Sequence, residues 1–416
     1  MNVWLIFPVP IIPKRTMDVL SFPYCIQRCL IYNVQSLGIS NSILSFLIVS
    51  ILNVRSFFIE YIMLYYWKSR SMNEVTNMRF LNTSIKIQTM ELKNRLVMPP
   101  MAISKADENG KATSKTFDYY TEKSAGGYIG LIIAEHTYVS PEGKASKGQL
   151  SISEDNDIGG LKKLVSLVHK NDTKIMAQIN HAGGAATPDI TGLGQLSASA
   201  VRISKGSLTV PEGNLTTPLP KEMNPTDIKK VVNDFTKAAL RTKAAGFDGV
   251  EIHSAHGYLL NQFYSPLTNK RIDEYTGDTI RGRIRLHLEI IQAIREAVGK
   301  DYPVALRLGA CDYMTGGSTI EDSVLAVQEF VKAGIDLIDI SGGLCGYINP
   351  TSHKQGYFDE LSKAIKDTVS IPVILTGGIT DAETAEMLLE QKKADLIGVG
   401  RAILKDSEWA KRAMKP

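Results

Sequence analysis

Gly246-Phe-Asp-Gly-Val-Glu-Ile-His-Ser-Ala-His-Gly-Tyr258 is a short apolar run that delivers two histidines and a tyrosine within six positions. It continues into the polar stretch Asn261-Gln-Phe-Tyr-Ser-Pro-Leu-Thr-Asn-Lys-Arg271. An apolar run of this length reads as a buried strand, and the polar groups gathered at its carboxyl end mark that end as the place for chemistry. The segment before it, Thr226–Ala245, carries apolar residues at helical spacing, so the unit reads as helix, strand, functional loop.

The same plan repeats outward from this unit. Strands are expected at Leu96–Pro99, Gly130–Glu135, Lys174–Ile179, Gly249–His253, Val304–Gly309, Leu337–Ser341, Pro372–Thr376 and Leu396–Gly400. Helical patterns lie between them near Thr116–Ser124, Ile158–Asn171, Thr226–Ala245, Arg281–Val298, Ile320–Ala333, Phe358–Val369 and Asp381–Gln391. Alternating strands and helices specify an α/β fold with a parallel sheet, and eight strands predict a closed (β/α)8 TIM barrel over residues 72–416 as a single domain. Thr380 with Glu383 has capping-box spacing, and Pro225-Thr226-Asp227 offers a cap before an apolar-periodic run. Two connections, His181–Asn224 and Ser254–Ile280, are too long for simple turns; in a barrel such loops build sites.

Residues 1–71 stand apart. They hold six Lys/Arg against two Asp/Glu, which is the whole of the net charge of +4, so the remainder is neutral and the basic balance gives no argument for nucleic acid. The uncharged run from Cys29 to Val54 is long enough to span a bilayer, yet it contains Asn33, Gln35, Asn41 and several serines. Three readings stay open: a mis-assigned start with translation beginning at Met72, a real extension, or a membrane segment. Cys25 and Cys29 are spaced CxxxC while Cys311 and Cys345 are solitary, which fits neither a zinc quartet nor a disulfide framework and makes a reducing cytoplasm the default.

Several polar residues sit where a barrel interior should be apolar. Alternation puts Met176 with Gln178, Glu251 with His253, and Ala305 with Arg307 on shared faces. A guanidinium there needs an electronegative partner to offset its desolvation, either Glu251 across neighbouring strands or a buried ligand with an electron-rich pole. Leu375-Thr-Gly-Gly-Ile379 and Ile397-Gly-Val-Gly-Arg401 close the last two strands, and glycines at that place let backbone amides approach a phosphate. No Walker A sequence occurs, and Gly192-Leu-Gly194 lacks the βαβ setting of a dinucleotide fingerprint, so a phosphate-bearing mononucleotide is the better fit. His253 and His256 admit a metal pair, core histidines, or paired donors to a substrate oxyanion; no third metal ligand is nominated. Tyr258, protonated at neutral pH, can serve as a proton donor.

Lys93-Asn-Arg-Leu-Val-Met-Pro-Pro-Met101, Gln178-Ile-Asn-His-Ala-Gly-Gly184, His253-Ser-Ala-His-Gly-Tyr258, Asn269-Lys-Arg-Ile-Asp-Glu-Tyr275, Arg307 and the two glycine turns together resemble the Old Yellow Enzyme family of FMN-dependent NAD(P)H:flavin oxidoreductases and ene-reductases. The resemblance covers about Arg79 to Trp409. It implies FMN as cofactor, NAD(P)H as electron donor and a small electron-poor alkene (enone, nitroalkene or similar) as the partner reduced. Pro99, Pro100, Met101 and Ala102 would line the flavin ring, with His136 near it; Gln178 would bond the pyrimidine edge and Arg307 would sit by N1 and the C2 carbonyl. Gly377, Gly378, Gly400 and Arg401 would hold the phosphate. His253 and His256 would bind the activating oxygen or the nicotinamide carboxamide, and Tyr258 would protonate the α-carbon after hydride reaches the β-carbon.

There are departures. Ala102 stands where one bacterial subclass has a potential-tuning cysteine; the chain ends at Met414-Lys-Pro416 without the tail through which some dimers share a site; and lone Cys345 cannot replace an iron–sulfur cluster's thiolates. A homo-oligomer is left open. The rival readings are a related FMN-dependent dehydrogenase of another substrate and a non-catalytic flavin-binding sensor.

Overall fold

A computed structural model of the chain describes residues 80–203 and 219–414. Its centre is a closed ring of eight parallel strands: β1 (Leu96–Met98), β2 (Leu131–Tyr138), β3 (Lys174–Asn180), β4 (Gly249–Ser254), β5 (Val304–Gly309), β6 (Leu337–Ser341), β7 (Val373–Thr376) and β8 (Leu396–Gly398). Each strand bonds to the next in chain order, and β8 bonds to β1. Around them lie α1 (Ser114–Ser124), α2 (Ile158–His169), α3 (Pro225–Ala244), α4 (Ile280–Val298), α5 (Ile320–Ala333), α6 (Asp359–Lys366), α7 (Ala382–Glu390), α8 (Arg401–Lys405) and α9 (Trp409–Met414). The expected TIM barrel is therefore the architecture. The apolar residues 1–71, with Cys25 and Cys29, lie outside the described residues, among which no helix is long and apolar enough to cross a membrane.

The strands fold as buried ribbons because both their faces are covered, one by the helices and one by the barrel's own filling. The filling has two levels. At the amino ends Val97, Ile133, Met176, Ala305, Leu337, Ile374 and Leu396 form one apolar cluster. Two residues further along the same inward faces stand Gln178, Glu251, Arg307, Asp339 and Thr376, so one step of the strand period changes the interior from apolar to polar. The lower mouth is closed by an antiparallel hairpin, Ile85–Ile87 with Met90–Leu92, whose Ile87, Met90 and Leu92 join the apolar cluster.

Two helix starts differ from expectation in detail. Asn224, not Thr226 or Asp227, caps α3: its side chain accepts from the backbone N–H groups of Thr226 and Asp227, and Pro225 occupies the first helical position. Asp381, rather than Thr380, caps α7 by accepting from Thr384 N, because Asp381 is the extended residue that immediately precedes the helix. The long loop after β3 contains a short helix, Pro188–Thr191, and a two-residue strand pair, Leu196–Ser197 with Lys221–Glu222; the loop after β4 contains the helix Leu259–Tyr264.

Candidate active site

The polar level of the barrel floors a cavity of about 450 Å³ at the carboxyl ends of the strands. Pro99, Pro100, Met101, Ala102, His136, Gln178, His253, His256, Tyr258, Arg307, Gly378, Gly400 and Arg401 all border it. Gly377 does not; it stands behind the wall, where its carbonyl accepts from the backbone N–H groups of Gly356 and Tyr357. Tyr347, Tyr357, Thr376, Ile379, Thr380 and Leu404 complete the lining and were not anticipated. Thr376, Ile379 and Thr380 adjoin the glycine turn already singled out, whereas Tyr347 and Tyr357 lie in the loop after β6, where no motif signals them.

Arg307 is paired, but not with Glu251. Its Nε lies 3.1 Å from Asp339 Oδ2 on β6, while Glu251 Oε1 accepts from Gln178 Nε2 at 2.9 Å. The register explains the choice: Asp339 is directly opposite Arg307, and Glu251 is opposite Ala305, one step lower. Burial raises the Asp339 carboxyl to about 6 although Arg307 opposes it. Burial and then the Asp339 charge push Glu251 well above the usual carboxylate range, so Glu251 holds its proton more readily than Asp339.

The carboxyl end of β4 supplies the imidazoles. His253 and His256 meet edge to face with ring centroids 5.1 Å apart, and His253 meets Tyr258 in the same way at 5.1 Å. His256 adopts the left-handed backbone conformation, φ 60°, which turns the chain within three residues of the strand and brings both rings to one wall. His253 Nδ1 accepts from Ala255 N at 3.2 Å, and His256 Nε2 is 2.7 Å from Ser341 Oγ. Burial holds both imidazoles well below the ordinary histidine value; for His253 the neighbouring His256 adds to this, and for both so does the Arg307 charge. Tyr258 is pushed up to about 12 by burial and stays a phenol. Among the described residues no group of three or more His, Cys, Asp or Glu is placed to hold a metal.

At the opposite end of the cavity the backbone is kept bare. Gly378 has φ +67°, and a Cβ there would lie 2.6 Å from the Tyr357 ring; a Cβ at Gly400 would lie 3.0 Å from Met101 Sδ. Arg401 Nη2 donates to Tyr357 Oη at 3.2 Å, and that hydroxyl donates to the Tyr347 carbonyl at 2.7 Å. A guanidinium beside exposed turn amides suits a phosphate, and the Pro99–Met101 wall suits a flat ring. The Gln178 amide and Arg307 guanidinium suit its electron-rich edge, so the residues present fit a flavin mononucleotide.

Comparison with known proteins identifies the family. The sequence profile of the NADH:flavin oxidoreductase / NADH oxidase family matches residues 81–416. The chain is 39% identical over 334 residues to an NADH oxidase of Thermoanaerobacter brockii, covering 79% of this chain and 50% of that protein, and so spans about half its length. It is 37% identical over 320 residues to an NADPH dehydrogenase of Clostridium acetobutylicum, covering 77% of this chain and 90% of the relative. Among solved structures, the Old Yellow Enzyme homologue from Zymomonas mobilis superposes with a TM-score of 0.69 at 26% identity, covering 80% of this chain and 91% of that one.

Proposed function

The chain belongs to the NADH:flavin oxidoreductase / NADH oxidase family, and on that premise we propose that it is an FMN-dependent oxidoreductase that takes reducing equivalents from NAD(P)H and reduces the C=C bond of an electron-poor alkene. The observation that carries the reading is the wall of two neutral imidazoles and a phenol facing a cavity whose other end suits a phosphate. FMN, when bound, supplies the hydride chemistry.

The protein's part is binding and charge. With Nδ1 of His253 accepting from the backbone, the ring proton sits on Nε2. A Ser341 hydroxyl donating to His256 Nε2 leaves that ring's proton on Nδ1. Two neutral N–H donors at one carbonyl or nitro oxygen stabilise the negative charge that develops there when the alkene accepts hydride. Burial above all, with the Arg307 charge adding to it, keeps both imidazoles neutral, so both rings offer N–H donors without repelling one another. Tyr258 carries the proton given to carbon. Gln178 and Arg307 hold the pyrimidine edge; Pro99, Pro100, Met101 and Ala102 flank the ring; Gly378, Gly400 and Arg401 hold the phosphate, with Gly377 shaping the turn behind them.

Purified protein is expected to be yellow and to oxidise NAD(P)H under anaerobic conditions only while an enone or nitroalkene is consumed. Replacing His253 and His256 together with alanine should lower kcat/KM for the alkene by ~10²–10³, the usual cost of losing oxyanion donors, with visible absorbance unchanged. A colourless protein that also ignores added FMN ends the flavin reading, and a yellow protein that never oxidises NAD(P)H ends the catalytic one.

A further inference from the structure

We propose that His136 is a third neutral hydrogen-bond donor on the substrate side of the cavity, and that the site therefore favours alkenes whose activating group carries a second acceptor oxygen, such as nitroalkenes, over those with a single carbonyl. This rests on the reading above that His253 and His256 hold the activating oxygen.

The backbone aims this side chain deliberately. Ile133 belongs to the apolar cluster inside the barrel, so strict alternation along β2 would turn position 136 outward. The register between β2 and β3 shifts between Ala134 and Thr137, and a bulge of this kind re-aims a side chain. His136 borders the cavity as a result, while remaining only 7% exposed.

Its tautomer is fixed by its neighbours. Gln149 Nε2 lies 3.1 Å from His136 Nδ1 and also donates to the His136 carbonyl at 3.1 Å, while Gln149 Oε1 accepts from Ala145 N at 2.7 Å. Both ends of that amide are thereby assigned, and its nitrogen can only donate. Asn180 Nδ2 approaches the same Nδ1 at 3.3 Å. A ring nitrogen facing donors is an acceptor, so the proton of neutral His136 sits on Nε2, which has no hydrogen-bond partner among the described residues. Burial and the Arg307 charge depress the group to about 4, so Nε2 donates throughout the physiological range and does not act as a base.

The resemblance places His136 near the flavin ring, but its ring neighbours are the groups assigned above to the substrate side. It stacks on Tyr258 at 5.4 Å with 20° between planes, and stands edge-on to His253 at 6.3 Å. Bordering the cavity with no protein acceptor among the described residues, this N–H is free to bond an acceptor oxygen that enters. An enone has one oxygen, which the His253–His256 pair engages, whereas a nitro group brings a second oxygen for His136.

Calorimetric titration of the FMN-loaded protein with two unreactive ligands tests this: phenol, with one oxygen, and benzoate, with two. His136→Ala should weaken benzoate about ten-fold, the worth of one hydrogen bond near the upper end of its range, and phenol by less than about two-fold. His136→Gln, which keeps an N–H donor, should restore part of the benzoate affinity, and the visible spectrum of each variant reports retained FMN. In turnover the same variants should lose selectivity for nitroalkene over cyclohexenone. Equal weakening of both ligands by His136→Ala, or unchanged benzoate binding, overturns the inference while leaving the function above intact. Wild-type protein that holds FMN but binds neither ligand overturns the donor-pair reading and this inference with it.

Discussion

Arg307 lies on the interior face of β5 with a carboxylate opposite it, and the pair sets the charge that the cavity floor presents. Asp339 is fully buried, so in this low-dielectric setting its charge is felt strongly by anything bound above Arg307. Replacing it, Asp339→Asn, should leave the guanidinium uncompensated and move the reduction potential of bound FMN to a more positive value. A shift of roughly 30 mV corresponds to ~1.4 kcal/mol for a two-electron couple, and equilibration with a reference dye measures it. An unchanged potential would mean that Glu251 ionises to take over the counter-charge, which the double variant Asp339→Asn, Glu251→Gln would expose. The strand motif containing Asp339, Leu337-Ile-Asp-Ile-Ser341, carries its aspartate in the same phase as the inward Leu337, so the signal was present in the sequence. Choosing it over Glu251 required the register, which apolar strands with no marked ends do not declare.

At the scale of the element, strand and helix positions were legible because periodicity reports burial directly, and each barrel strand lies within three residues of its expected bounds. What periodicity cannot report is a break in itself. The bulge in β2 left the strand's end, His136-Thr137-Tyr138, outside the expected strand, and the hairpin strands near residue 90 are three residues each, too short for any pattern. Glu135 shows what the bulge costs. Its carboxyl is buried, and burial raises it to about 8 although the nearby backbone N–H groups of Ile103 and Ser104 favour the charged form. The folded protein then binds a proton that the unfolded chain, with an ordinary glutamate, releases near pH 4.5. Between those values the native state carries more protons, so stability falls as pH rises. Burial holds the histidines at 136, 181 and 287 below their ordinary value, which acts in the opposite sense at acid pH. From about pH 7 to 8 Glu135 and the raised Glu251 act in the same sense: Glu135 should account for a drop of ~1 kcal/mol in unfolding free energy, and Glu135→Gln should remove that part of the slope. Denaturant titrations at the two pH values decide it.

At the scale of the whole molecule, the residues named by the family motifs come together at one cavity because a barrel gathers the carboxyl ends of all its strands into one mouth, whatever their separation in the chain. Thirteen of the fourteen residues expected there border the cavity, and Gly377 is adjacent to it. The aromatic residues of the loop after β6 were illegible, since Tyr347 reaches the cavity through a loop path and not through a strand phase. Tyr357 connects the phosphate end to that loop through its hydroxyl, which accepts from Arg401 and donates to the Tyr347 carbonyl. Tyr357→Phe should therefore loosen the far wall as well as the phosphate end: FMN affinity falls and the KM for bulky alkenes changes, both readable in one titration series.

The hairpin beneath the barrel has a consequence for traffic. With Ile87, Met90 and Leu92 stoppering the lower opening, the described residues leave no way through the barrel, and whatever enters the cavity leaves on the side it came from. Two visitors cannot pass through in a queue; the first has to back out before the second can enter. In steady-state kinetics, double-reciprocal plots at several fixed levels of reductant should be parallel lines, and either substrate in excess should obstruct the other. Lines that converge would mean that both fit inside together.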